Sequence, residues 1–216
     1  MHVLVTAGPT YEPLDPVRFI GNHSTGKMGY ALAEAFAEAG ADVTLISGPT
    51  NLPDPTAARI RTQRVETADQ MYATAAAVAP VADVWVFAAA VADYKPAQAA
   101  TQKIKKDGDT LTLELVRNVD IAATLGRTKR PEQYSVGFAL ETNDERAHAL
   151  DKLRRKNFDL VVLNSLRDAG AGFRHDTNQV TLLEADGRVT TFELKLKAEV
   201  ARDIVRTVLA RLPHHA

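Results

Sequence analysis

The 216-residue chain has no cysteine. That excludes a disulfide framework, a thiolate zinc site and a cysteine nucleophile, and it fits a reducing cytoplasm. Neither sign of charge is in excess: the formal net charge is −1. Bulk electrostatics therefore offers no attraction to nucleic acid or membrane, and any cationic site must be a local cluster. No apolar run is long enough to span a bilayer, and Met1-His-Val-Leu-Val-Thr6 enters a strand pattern at once, without the charged and apolar regions of a signal peptide. The expectation is a soluble, cytoplasmic protein with neither a nucleic-acid nor a membrane partner. Repeats, low-complexity tracts and linkers are also lacking, so residues 1–216 read as a single domain large enough to bury a good core.

What is present is a run of short, nearly continuous apolar segments: His2–Ala7, Asp42–Ser47, Val84–Ala90, Tyr134–Leu140 and Leu160–Asn164. They read as strands buried on both faces of a parallel sheet. Helical patterns separate them. The first covers about residues 27–39, with Met28, Leu32, Ala35, Phe36 and Ala39 at helical spacing and Gly40 as its stop. The second opens on a capping box, Thr67-Ala-Asp-Gln70, and runs to about Val78; the third repeats the device with Thr142-Asn-Asp-Glu145 and runs to about Asn157. A fourth covers about residues 198–212 and ends at Pro213. Strand and helix in alternation predict an α/β fold with right-handed crossovers: a Rossmann-like, mostly parallel sheet with flanking helices. Two stretches break the rhythm. Residues 101–117 join an Asp107-Gly108 turn signal to alternating Leu111, Leu113 and Leu115, and residues 179–194 alternate around Asp186-Gly187. Both predict β-hairpin arms.

Familiar signatures are missing too. Gly21-Asn-His-Ser-Thr-Gly-Lys-Met-Gly29 spells G-x-x-x-x-G-K ahead of a helix, but Met28 stands where a P-loop has its magnesium-binding hydroxyl. The Pro-rich residues 8–18 also separate it from the first strand. Glycines and a helix start still suit an anion. A dinucleotide dehydrogenase needs G-x-G-x-x-G in the first turn and an acidic residue ending the second strand; this chain has Ala7-Gly-Pro-Thr10 and Ser47. None of the five tyrosines is followed by lysine four residues later, and no G-x-S-x-G elbow occurs. An NAD(P)-binding reductase or binding domain remains the alternative class, without its fingerprint.

In an open parallel sheet, ligands bind beyond the carboxyl ends of the strands. The residues due there are the Ala7–Thr10 turn, the glycine segment, Ala88-Ala-Ala-Val-Ala-Asp93-Tyr94, Phe138 and Asn164. Ala88, Ala89 and Ala90 suit either a flat ring or tight sheet–helix packing. Asp93, read as ending a buried strand, either meets a ligand donor or caps the following turn. His23 is a base, a phosphate donor or neither. Lys103 and Lys105 share one face if their stretch is a strand, with Lys106 opposite, and Lys152 and Lys156 share one face of a helix. These cations either neutralise a polyphosphate at the cleft or line a solvated surface. No metal-ligand spacing occurs, so a divalent ion is expected to arrive with phosphates.

One set of ordered motifs goes further. Thr6-Ala-Gly-Pro-Thr10, Glu12-Pro-Leu-Asp-Pro-Val-Arg-Phe-Ile20, Asn22-His-Ser-Thr-Gly-Lys-Met-Gly29, Val43-Thr-Leu-Ile-Ser-Gly-Pro49, Ala88-Ala-Ala-Val-Ala-Asp-Tyr94, Lys103-Ile-Lys-Lys106 and Val136-Gly-Phe-Ala-Leu-Glu-Thr142 closely resemble bacterial phosphopantothenoylcysteine synthetase. In many bacteria that synthetase is the C-terminal half of a bifunctional coenzyme A biosynthesis protein, fused to a flavin-dependent decarboxylase. The resemblance covers essentially the whole chain. It implies a homodimeric ligase joining 4′-phosphopantothenate to L-cysteine through an acyl-cytidylate, with CTP as co-substrate and Mg²⁺ held by the nucleotide phosphates rather than by direct protein ligands.

Position by position, Phe87, Ala88, Ala89 and Asp93 resemble part of the family's nucleotide pocket. Val116, Arg117, Asn118, Val119, Phe138, Lys152 and Lys156 are similar to further nucleotide contacts, the last two to phosphate contacts. Lys103 is similar to a lysine on an arm that closes over the intermediate. Asn22 resembles the asparagine that binds the acyl intermediate and reaches the neighbouring subunit's site. Departures occur at Val119, where the family has proline and a stiffer loop, and at Gly21 and Thr25, where serines are common.

Overall fold

The computed structural model describes residues 1–106, 108–141, 144–165 and 175–212. Asp107, Thr142 and Pro213 lie outside the described residues, and with them the first arm's turn signal, the third helix's capping box and the last helix's proline stop.

Because successive side chains of a strand point to opposite faces, nearly continuous apolar strands must form a middle layer. Among the described residues that layer has eight strands, in the order Val189–Thr191, Val180–Glu184, Leu160–Ser165, Tyr134–Glu141, Val84–Phe87, His2–Ala7, Asp42–Ser47, Ile60–Arg64. From Leu160–Ser165 onward all neighbours are parallel, with registers such as Val3↔Val43 and Val3↔Val84. The first two strands join antiparallel as the hairpin expected around Asp186-Gly187. The chain winds from His2–Ala7 to one edge, then returns to build the other side. Strand order therefore reverses between His2–Ala7 and Val84–Phe87, which fixes where a crevice opens.

Helices α1 (Lys27–Glu38), α2 (Ala68–Val78), α3 (Ile121–Gly126), α4 (Glu145–Arg155) and α5 (Lys197–Leu209) cover the sheet. α1 and α5 bury Val3, Val5, Val43, Leu45, Val84, Val86 and Val162 on one face. The alternate residues Leu4, Ile46, Trp85, Ala139 and Val161 face α2, α3 and α4 on the other. At about 1.5–3 kcal/mol for each large aliphatic side chain buried, this alternation holds three layers together. α2 starts as its sequence predicts: the Thr67 hydroxyl accepts from Gln70 N–H at 3.3 Å while Gln70 Oε1 accepts from Thr67 N–H at 3.3 Å. In α1, a Cβ on Gly29 would lie 2.5 Å from Ala7 Cβ, so only glycine lets this helix start lie against the first strand.

Three expectations change. The strand beginning at Val84 ends at Phe87, not Ala90; beyond it the backbone donors follow the end of the first strand into its loop, Ala88 N–H to Thr6 O at 3.2 Å and Ala90 N–H to Gly8 O at 2.9 Å. Ala90 returns only as an isolated bridge to Pro9. The first arm pairs Tyr94–Pro96 with Leu115–Arg117, and residues 101–106 and 108–114 form no strand. Leu111 and Leu113 are 57% and 39% exposed, so their alternation has no sheet face to cover. Lys103 and Lys105 accordingly share no strand face. Unforeseen were the edge strand Ile60–Arg64, whose sequence carries one apolar residue, the six-residue α3, and the hairpin of Tyr11–Pro13 with Phe19–Gly21, which starts inside the Pro-rich segment and closes just after it.

Candidate active site

A cleft of ≈ 560 Å³ opens at the reversal of strand order. Residues 87–94, leaving the fourth strand in chain order, make one wall, and Ser24–Gly29 at the start of α1 make another. The rest comes from residues 117–122, Phe138–Leu140, Lys152, Lys156, Phe158, Asn164, Asn178 and Lys197, with Thr6 below. Ser24, Thr25 and Gly26 bring the open amide end of α1 to the cleft, with Gly26 left-handed at φ 80°.

Hydrogen bonds fix the alanine wall. Ala92 N–H donates to Thr10 Oγ1 at 3.0 Å, and Asn118 Nδ2 donates to Ala92 O at 2.8 Å. Asn118 N–H donates to Asp93 O at 2.9 Å, tying the arm's root to that wall. Asp93 itself is exposed at the rim. The cost of burying a carboxylate, which the sequence raises for it, does not arise because the strand ends six residues earlier.

Cations gather at two places. Lys152 Nζ donates to Phe138 O at 2.5 Å, and Lys156 Nζ meets Asp120 Oδ1 at 2.9 Å. Their four-residue spacing does bring both to one cleft. Burial pushes the Asp120 carboxyl up, but the Lys156 hydrogen bond, the Ala123 amide and the charges of Lys156 and Arg155 outweigh it, so the group stays below its usual range. At the opposite end, Lys27 Nζ pairs with Asp176 Oδ1 at 2.5 Å and holds that carboxyl below its usual range. Lys197 is only 7% exposed; burial and the Lys27 charge hold its ammonium below the usual lysine range. Three side-chain oxygens in the lining, on Asn118, Asn164 and Asn178, are buried without a hydrogen-bond partner. Such acceptors are costly unless a ligand donor meets them.

Of the sequence-predicted residues, the cleft gathers Phe87, Ala88, Ala89, Asp93, Arg117, Asn118, Val119, Phe138, Lys152 and Lys156. Three stand outside its lining. Val116 pairs with Lys95 and is 40% exposed; the next residue, Arg117, lines the cleft instead. Asn22 is exposed and donates from Nδ2 to Ala90 O at 2.9 Å. Lys103 is exposed on the arm. His23 is exposed and does not line the cleft either. Sequence reasoning missed Asp120, Asn178 and Lys197. Lys197 left a signal, since it precedes Val200, Ala201, Ile204 and Val208 on the buried stripe of α5, where a lysine is out of place.

Among the described residues no group of three or more His, Cys, Asp or Glu is arranged to hold a metal, and no helix is long and apolar enough to cross a membrane. The carboxylates in the cleft lining are those of Asp93 and Asp120.

Comparison with known proteins agrees with this architecture. A protein from an unknown prokaryotic organism, named cysteine/cysteine sulfinic acid decarboxylase, is 47% identical over 207 residues, 96% of this chain and 57% of its own length. The coenzyme A biosynthesis bifunctional protein CoaBC of Bacillus subtilis (strain 168) is 45% identical over 209 residues, 97% of this chain and 51% of its own length. The chain thus spans about half the length of the curated relatives it matches. The crystal structure of the C-terminal domain of a CoaBC protein superposes with a TM-score of 0.80 at 41% identity, covering 96% of this chain and 93% of that one. Residues 1–212 match the DNA/pantothenate metabolism flavoprotein C-terminal domain, and the chain belongs to that family.

Proposed function

We propose that the chain is a phosphopantothenate–cysteine ligase of coenzyme A biosynthesis, working in the cytoplasm as a homodimer and using CTP. The observation that carries this reading is the strand-end cleft, in which an alanine wall suited to a nucleotide stands beside Lys152 and Lys156. The relationship to CoaBC proteins at 41% and 45% identity supplies the substrate class.

The substrate carboxylate attacks the α-phosphorus of CTP, pyrophosphate leaves, and an acyl-cytidylate forms. The cysteine amine then attacks the acyl carbon; the C–N bond forms as the C–O bond to CMP breaks, and the amine proton passes to solvent. Positioning two anions against each other is the main demand on the protein, so catalysis rests on alignment and positive charge. Phe87, Ala88, Ala89, Asp93, Arg117, Asn118, Val119 and Phe138 hold the nucleoside end, while Lys152 and Lys156 neutralise phosphate. Mg²⁺ would supply Lewis-acid charge on the phosphates; the carboxylates of the cleft lining are those of Asp93 and Asp120, the latter paired with Lys156, which suits an ion that comes bound to the nucleotide rather than to a protein cage. Asn22, outside its own cleft, serves the neighbouring subunit's acyl intermediate, and Lys103 acts on the same intermediate from the arm. Val17, Phe19, Leu115 and Val116 are 62%, 49%, 42% and 40% exposed, and a partner subunit on the two hairpins would cover them.

The dinucleotide reading shares the strand order but lacks its ribose carboxylate. Ser47, which ends the second strand, is buried and bonded to Tyr30 Oη at 3.0 Å. The test is to incubate the protein with 4′-phosphopantothenate, cysteine, Mg²⁺ and each nucleoside triphosphate in turn, following pyrophosphate. Cysteine-dependent product with CTP is expected; no such product with any nucleotide removes the proposal.

A further inference from the structure

Asp15 is a buried carboxylate that the proposed reaction does not use; its side chain is 0% exposed. A carboxylate in that position needs donors on every side, and it has them. Arg18 grips Oδ2 through Nε at 3.0 Å and Nη2 at 2.5 Å, while Val17 N–H and Arg18 N–H each donate to Oδ1 at 2.8 Å. The remaining donor comes from the arm: Ile104 N–H reaches Asp15 Oδ2 at 3.0 Å. Arg18 Nη2 also donates to Ile104 O at 2.9 Å, and Ala100 N–H donates to Leu14 O at 2.9 Å. The Leu14–Arg18 turn therefore pins the arm at two residues, Ala100 and Ile104, which are half-buried while Thr101, Gln102, Lys103, Lys105 and Lys106 are exposed.

We infer that the Asp15–Arg18 pair is a positioning device for Lys103, fixing the root of the arm so that this lysine projects from a three-residue bridge between two anchors. The inference rests on the proposed role of Lys103 in the ligase reaction. Charge-assisted bonds are about twice as strong as neutral ones, which is what an exposed loop needs to keep a defined root. Bridge residues span at most about 3.3–3.6 Å each, so pinning both ends confines the lysine backbone and leaves its side chain as the moving part. Asp15 touches neither the cleft nor a reacting atom; it acts through the Ile104 backbone.

The experiment uses the full chain with Asp15→Asn and, because Asp15 also closes its own turn, with Ile104→Pro, which deletes the arm's donor and leaves the Asp15–Arg18 pair in place. Amide exchange at Ile104 in Asp15→Asn, and native-state trypsin cleavage after Lys105 and Lys106 in both variants, are expected to rise about tenfold or more as the root opens locally. Pyrophosphate release is expected to stay within about threefold of the parent, while aminolysis of the activated intermediate by cysteine slows about tenfold. A double variant with Lys103→Gln is then expected to carry out aminolysis no more slowly than Lys103→Gln alone, the non-additivity of residues acting as one unit. Parental exchange and cleavage rates would overturn the anchor. Losses that multiply with Lys103→Gln would overturn the positioning role. A parent that makes no cysteine-dependent product fails the ligase reading, whereas the exchange and cleavage rates judge the anchor without it.

Discussion

Lys156 and Asp120 face each other at 2.9 Å on the cleft wall, the ammonium just past the end of α4 and the carboxylate at the N-cap of α3. The two side chains are 15% and 41% exposed, so solvent screens the pair and its worth to the fold is about 0–1 kcal/mol. A bound phosphate competes for the same ammonium. Lys156→Gln is therefore expected to change unfolding free energy by less than about 1 kcal/mol, yet to raise the nucleotide dissociation constant roughly tenfold, about 1.4 kcal/mol. Calorimetric titration with CTP and Mg²⁺ measures the second quantity; unchanged affinity would remove Lys156 from the phosphate site.

The same pair has a pH signature. The folded-state value of Asp120 is depressed below the ordinary 3.8, so its contribution to stability is fully present above that value and is lost as pH falls through the folded one. In Lys156→Gln, burial acts with less opposition, and the Asp120 titration is expected to move upward. A carboxyl-carbon NMR titration reads the shift, and a midpoint identical to the parent's would show that Lys156 does not set it.

The fold was legible wherever burial on both faces left long apolar runs: the strands at Val3, Val43, Val84, Val136 and Leu160 all begin where their sequence predicts. Ile60–Arg64 was not, because an edge strand with residues such as Arg61 and Arg64 has neither face fully buried. α3 spans only six residues and repeats no period, although Asp120 at its N-cap is readable in retrospect. In the site, Lys152 and Lys156 converge because helical spacing is a local rule. Lys197 and Asn178 reach the cleft only through the tertiary fold, from a short pairing of Thr177–Asn178 with Lys195–Leu196 that no periodicity marks. The Lys103 arm misled for the opposite reason: alternating leucines announce a strand, but no sheet face waits for them.

Gly29 gives a stability test independent of function. A Cβ there would meet Ala7 Cβ at 2.5 Å and Ala7 Cα at 3.1 Å, both on a buried strand that cannot retreat. Gly→Ala inside a helix normally gains up to about 1 kcal/mol, while overpacking of this kind costs about 1–3 kcal/mol. Overpacking is expected to win, lowering the melting temperature of Gly29→Ala by about 2–8 °C at roughly 2–4 °C per kcal/mol for a chain this size. A melting temperature at or above the parent's would mean that α1 can shift away from the first strand.

Lys103→Gln is expected to leave the fold unchanged, since the parent side chain is exposed on the arm. It should also leave pyrophosphate release near the parental rate while slowing the cysteine-dependent step by about 10²-fold, the size expected for loss of a proton-transfer or charge-stabilising group. Quenched-flow separation of the two half-reactions shows the intermediate accumulating. Parental rates for both half-reactions would exclude Lys103 from the chemistry.

Lys197 separates stability from binding at the other end of the cleft. It is 7% exposed, and its ammonium is disfavoured by burial and then by the Lys27 charge, with the Asp176 charge opposing. A lysine whose folded-state value lies below the ordinary 10.5 binds fewer protons folded than unfolded in the window between the two, so stability rises with pH there. Lys197→Met keeps the aliphatic stem, removes the desolvated charge and loses the ammonium's bond to His175 O. These effects oppose each other, and replacing buried charge by apolar volume is often neutral or better. Unfolding free energy at neutral pH is expected within about 1 kcal/mol of the parent, and the rise of stability toward high pH is expected to flatten. An anionic substrate at this end would meet one cation fewer, so the KM for 4′-phosphopantothenate should rise about tenfold while the KM for CTP holds. Denaturant titrations across pH and the two KM values test this together. A stability loss above about 2 kcal/mol with both KM values unchanged would make Lys197 a structural residue of α5.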